Sequence, residues 1–164
     1  MHTLPQIAAK IAFESGEEVN ALHTAIRGYR DKGAISHSGF EGRKALYDDV
    51  ALCRIAVLLA LQQHGFEGVA LQAILRCLDN HHAPIAPNVP TPKGFGRVVA
   101  GISSGEAWTF RFSAGSRKMF FGGCKLEGID SYDLLQDEDA KTTFGFKVVT
   151  AVDLSALLAP LLAD

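Results

Sequence analysis

Apolar residues fall at three- and four-residue intervals through the first half of the chain, the period of helices with one buried face. Leu4, Ile7, Ala8 and Ile11 share one side of a first helix, opened by the capping-box spacing Thr3-x-x-Gln6 with Pro5 in its first turn, and ending near Glu14. A second such spacing, Ser15-x-x-Glu18, predicts a helix over residues 17–32 with Gly33 as its left-handed end. A third begins after Asp48 and Asp49 and runs to Gly65; it is apolar on nearly every side, the pattern of a helix at the centre of a core. The fourth, Glu67 to Leu78, carries Leu71, Ile74, Leu75 and Leu78 as the stripe of a packed surface helix.

The pattern then breaks. Pro84, Pro87, Pro90 and Pro92 are four of the six prolines in the chain, and they predict an extended linker over residues 83–93. Beyond it the alternation is that of strands. Arg97 to Ile102 and Glu106 to Phe112 read as a hairpin turning at Ser103-Ser104-Gly105, with Trp108, Phe110 and Phe112 on one face. Lys118 to Phe121 and Thr143 to Val152 are further strand candidates. Asp153 is placed to cap a terminal helix of Leu154, Leu157, Leu158 and Leu161, with Pro160 inside it. The expected fold is α+β: a four-helix winged helix-turn-helix domain over residues 1–82, the linker, and a small antiparallel β-rich domain with a short C-terminal helix over residues 94–164.

Composition narrows the class. With 48% hydrophobic and 21% charged residues, the 164-residue chain resembles a globular protein. Pro5, Gln6 and Lys10 interrupt the pattern of a signal peptide, and the longest apolar run, Val50 to Leu61, contains Arg54 and falls short of the roughly 20 residues needed to span a bilayer. A cytoplasmic location without membrane insertion is expected. Cys53, Cys77 and Cys124 are odd in number and widely spaced, which speaks against a disulfide framework and for buried thiols. The formal net charge of −2 means that nucleic-acid binding would need a local basic face.

The second helix supplies one. On a 3.6-residue period Val19, Leu22, Ala25, Ile26 and Tyr29 lie on one side, and Asn20, His23, Thr24, Arg27 and Arg30 on the other. These polar side chains are of the types that contact phosphates and base edges in a major groove. A short preceding helix, a tight turn and an apolar support behind complete the requirements of a helix-turn-helix. Residues 36–47 follow, with Gly39, Gly42, Arg43 and Lys44, and read as a two-stranded wing whose Arg43 and Lys44 grip phosphates from its tip or edge.

In this order the parts resemble the MerR-like winged helix-turn-helix family. Thr24-Ala25-Ile26-Arg27-Gly28-Tyr29-Arg30-Asp31-Lys32-Gly33-Ala34-Ile35 looks like its recognition helix, Gly42 to Tyr47 like its wing, and Leu52 to Leu75 like the helix pair that follows. The resemblance covers about residues 3 to 79. It implies a sequence-specific transcriptional regulator of bacterial or phage type that binds double-stranded DNA. Where the family continues into a long dimerisation helix this chain has its prolines, so a homodimer and a small-molecule or protein effector are expected from residues 94–164 instead.

Other constellations compete less well. Cys77 with His81 and His82 has metal-ligand spacing if the fourth helix persists, and His64 or Cys124 would have to complete the set; a buried Cys77 is the simpler reading, and no metal or cofactor is assigned. Gly94-Phe95-Gly96-Arg97 and Gly122-Gly123-Cys124-Lys125 lack phosphate-loop spacing and read as turns. The acidic stretch Asp130 to Asp139 reads as a solvated loop or short helix. No trio of side chains is arranged for nucleophilic chemistry, so no catalytic residue is assigned and an enzyme is not expected. The alternative function is a protein-interaction module, such as a phage or plasmid adaptor or an antitoxin-like partner, using the same helical domain.

Overall fold

The computed structural model describes residues 1–82, 93–115, 119–129, 133–145 and 148–163, apart from the His82 side chain. Nearly all of the predicted linker, together with Lys118, Asp130, Tyr132 and Phe146, therefore lies outside the described residues. The backbone N–H of Thr3 donates to the Gln6 side chain (2.8 Å) and opens helix α1 (Leu4–Ser15), which Gly16 ends in the left-handed conformation. The next helix is capped by Glu18 rather than by Ser15. The Glu18 carboxylate accepts from the Ala21 N–H (2.8 Å), and α2 spans Val19–Asp31 with Gly33 left-handed just beyond it.

A short antiparallel hairpin, β1 (Gly39–Glu41) and β2 (Lys44–Leu46), precedes α3 (Asp49–Gln63), which Asp48 caps. Leu52, Cys53, Ile55, Ala56, Val57, Leu58, Leu59 and Leu61 are all buried, so α3 has almost no solvent side. Helix α4 (Gly68–Cys77) leads into β3 (His81–His82).

The second half departs from the expected hairpin. Residues Phe95–Ser103 form helix α5, not a strand. Val98, Val99 and Ile102 are β-branched and favour strands locally, but with Phe95 they stand at i, i+3, i+4 and i+7, and all four are buried. Burial of that face outweighs the propensity. Gly94, with φ of 55°, starts α5 where a plain turn is expected from sequence. A Cβ at Gly101 would collide with the Glu106 carboxylate and the Trp108 indole nitrogen, so the glycine lets α5 lie against the next strand.

Strands β4 (Trp108–Ala114), β5 (Phe120–Leu126) and β6 (Thr150–Asp153) form, with β3, a sheet of order β3-β5-β4-β6. It is antiparallel except that β3 runs parallel to β5. Of the long strand expected from Thr143 to Val152, the first residues instead end helix α6 (Glu138–Phe144), which Asp137 caps. Asp153 caps α7 (Leu154–Leu162) as expected, and Pro160 is accommodated within it. The second half is thus mixed rather than β-rich.

Trp108, Phe110 and Phe112 share the inner face of the sheet and are buried. They join Leu4, Ile7, Leu22, Ile26 and most of α3 in a single cluster that also takes in Leu154, Leu158 and Leu161 of α7. The core therefore continues through both halves of the chain. None of the described helices is long and apolar enough to cross a membrane.

One polar network sits at the junction of α5 and β4. Arg97 makes a two-pronged ion pair with Glu106 (2.6 and 2.9 Å) and lies over the Trp108 ring, whose Nε1–H donates to the same carboxylate (3.0 Å). The Arg97 guanidinium holds the Glu106 carboxyl below its ordinary range, with the indole N–H reinforcing the effect against partial burial. A carboxyl depressed in the folded state stabilises it above the unfolded-state pKa and loses that contribution as pH falls through the folded-state value. Glu106→Gln is accordingly expected to cost about 1–2 kcal/mol at neutral pH. In urea unfolding followed across an acid series, the difference from the parent protein should shrink steadily below the ordinary glutamate range.

Candidate nucleic-acid interface

Helix α2 buries Leu22 and Ile26 against the core and turns its polar side outward. Asn20, Thr24 and Arg27 are exposed, and His23 and Arg30 are partly covered. Two of these side chains are engaged along the helix: Asn20 donates to the Glu18 carboxylate (3.1 Å), and the Thr24 hydroxyl donates to the Asn20 carbonyl (2.8 Å). The Thr24 oxygen keeps its acceptor sites, and the Asn20 amide its carbonyl.

Residues 39–46 form a hairpin because Gly42, with φ of 59°, supplies the left-handed first position of a two-residue turn. Arg43 completes that turn and Lys44 opens β2, so both cations sit at the tip. The hairpin is tied to the start of the chain by a bridge in which the His2 N–H donates to the Tyr47 carbonyl (2.7 Å) and the Tyr47 N–H to the His2 carbonyl (2.8 Å). The His2 ring adds a contact to Asp49 (2.8 Å).

Between these parts lies an open groove of about 400 Å³. His23, Arg27 and Arg30 enter it from α2, Arg43, Lys44 and Ala45 from the hairpin, and Thr3, Leu4 and Pro5 from the first turn of α1. No carboxylate is among these lining residues, so a chain of slightly negative net charge gathers four Arg and Lys side chains in one concavity. Five of the seven residues expected to contact DNA converge here. Asn20 and Thr24 stay outside the groove, on the exposed side of the same helix. The contribution of Thr3, Leu4 and Pro5 is not legible in the sequence, where that segment reads only as a helix start.

The cations differ in their freedom. Arg27, Arg43 and Lys44 have no ion-pair partner among the described residues, whereas Arg30 donates through Nε and a terminal nitrogen to one Asp31 oxygen (2.9 and 2.6 Å). That hydrogen bond raises the Arg30 pKa above its ordinary value. Beneath it is Tyr47, fully buried, whose hydroxyl makes no hydrogen bond of ordinary geometry among the described residues but interacts with the Arg30 guanidinium. Burial raises the Tyr47 pKa, and the neighbouring Arg30 charge opposes that rise.

The metal-ligand spacing around Cys77 gathers no site among the described residues: no group of three His, Cys, Asp or Glu side chains converges there or elsewhere. All three thiols are free and buried. Burial pushes the Cys53 thiol up to about 12 and raises Cys77 and Cys124 as well, which keeps them protonated and poor as nucleophiles or ligands. No family model, curated protein or solved structure matches the chain.

The Tyr47 hydroxyl yields a direct test of the packing beneath the groove. The Arg30 guanidinium offsets part of the hydration that this buried hydroxyl loses, and no bond of ordinary geometry among the described residues offsets the rest. Tyr47→Phe is therefore expected to change the unfolding free energy by no more than about 1 kcal/mol in denaturant titration.

Proposed function

We propose that this chain is a sequence-specific DNA-binding transcriptional regulator of bacterial or phage type, with a MerR-like winged helix-turn-helix as its reader. The observation that carries the reading is the convergence of His23, Arg27 and Arg30 from α2 with Arg43 and Lys44 from the hairpin on one groove free of acidic lining. Helix α2 enters the major groove, where Asn20, Thr24 and Arg27 face base edges. The hairpin tip lies alongside and neutralises phosphates through Arg43 and Lys44. Arg30, held by Asp31 above Tyr47, braces the helix against the hairpin and offers its remaining N–H groups to the backbone. A homodimer on double-stranded DNA, with the second half pairing the subunits and receiving an effector, completes the proposal; catalysis has no part in it.

A second reading, the protein-interaction module, draws on a different surface. Phe13 of α1 is 86% exposed, and a groove of mixed lining runs between α1, α3 and α7; a partner protein would cover both.

Selection of bound sequences from genomic fragments, followed by gel-shift titration of the folded variants, separates the two. Arg27→Ala is expected to weaken the selected site by at least about tenfold and to relax its sequence preference. Arg43→Ala should weaken all sequences alike and lower the salt slope by about one. Absence of salt-dependent affinity for any fragment, or unchanged binding in both variants, would remove the DNA-binding reading.

A further inference from the structure

The face of the four-stranded sheet that is turned away from the core has a bare patch. Register pairs Arg111 with Gly123 and Thr109 with Lys125. Residues directly opposite in an antiparallel pair project to the same face, so Arg111, Gly123 and Lys125 are neighbours on the side opposite Trp108, Phe110 and Phe112. Asn80, just before β3, closes the third side. A Cβ on Gly123 would stand 3.0 Å from the Asn80 carbonyl oxygen and 3.2 Å from its Cβ. The glycine thus lets Asn80 approach and leaves the floor without a side chain.

Over this floor comes the segment Asp133–Leu135. Asp133 forms an ion pair with Arg111, and Leu135 is buried. A cavity of about 480 Å³ remains between floor and cover, within the size range of small-molecule sites. Its charges are unequal. Arg111 is neutralised by Asp133, and Asp79 at the rim by Arg54 of α3 (2.6 Å), but Lys125 has no ion-pair partner among the described residues. Among the described residues, one positive charge is thus left without an ion-pair partner beside Leu134 and Leu135.

We propose that this cavity binds a small organic acid. Its carboxylate lies against Lys125 and the unused N–H groups of Arg111, whose guanidinium fork matches a carboxylate, and its apolar body lies on Leu135. Asp79 lines the same cavity and holds Arg54, so the site abuts α3 directly.

The site is tested without DNA, on the full chain, by calorimetric titration with hexanoate, with hexylamine of the same length and opposite charge, and with inorganic phosphate. Saturable one-to-one binding of hexanoate is expected, with hexylamine silent and phosphate weaker. Lys125→Gln, on the surface side of the sheet, should retain the melting temperature and raise the hexanoate Kd by at least about tenfold. No saturable binding of hexanoate, equal binding of hexylamine, phosphate binding as tightly as hexanoate, or an unchanged Kd in folded Lys125→Gln would each overturn the assignment.

Discussion

A helix with no solvent side must be covered all round, and α3 imposes that demand on the rest of the molecule. Its eight buried residues need neighbours in every direction. Helix α4 covers one side, α5 and α7 from beyond the proline-rich segment cover others, and α1 and α7 meet across its end. Each buried Leu, Ile or Val side chain removes about 1.5–3 kcal/mol of unfavourable apolar hydration, so uncovering any flank of α3 is costly. The prolines therefore divide the chain without dividing the core. The sheet makes the same point, since β3 from the first half pairs with β5 from the second.

The exposed basic groove is a consequence of that arrangement. Leu22 and Ile26 anchor α2 to the shared core and leave its polar side facing out. The His2–Tyr47 bridge then pins the hairpin next to the first turn of α1, so that Arg43 and Lys44 sit across from Arg27. The cations lining the groove are held by packing and backbone pairing, while the charged ends of Arg27, Arg43 and Lys44 make no ion pair among the described residues. Arg30 is the exception: its bond to Asp31 and its place over Tyr47 suit bracing better than base reading.

Much of this was legible in the sequence where the determining contacts are local. Helices α1 to α4 announce themselves through Gln6, Glu18, Asp48 and the glycines that follow, and through apolar spacing that no other element fits. The hairpin was legible from Gly42, and the exposed polar face of α2 from its period. What was not legible depended on distant partners. Val98, Val99 and Ile102 favour a strand when their neighbours are unknown, and only burial against α3 and α7 makes α5 a helix. Thr3, Leu4 and Pro5 join the groove through a bridge between residues 2 and 47, and Gly123 reads as a turn until Asn80 is seen to press against it. Pairing between residues far apart in sequence leaves no periodic trace.

Whether α2 and the hairpin together form one DNA-binding surface is decided by mapping backbone amide shifts of the full chain on addition of a duplex selected from genomic fragments. The largest shifts are expected on Asn20 to Arg30 and on Gly42 to Ala45, moving together with one affinity that weakens as salt is raised. Shifts concentrated around Phe13 and the groove between α1, α3 and α7, with α2 and the hairpin unmoved, would contradict it.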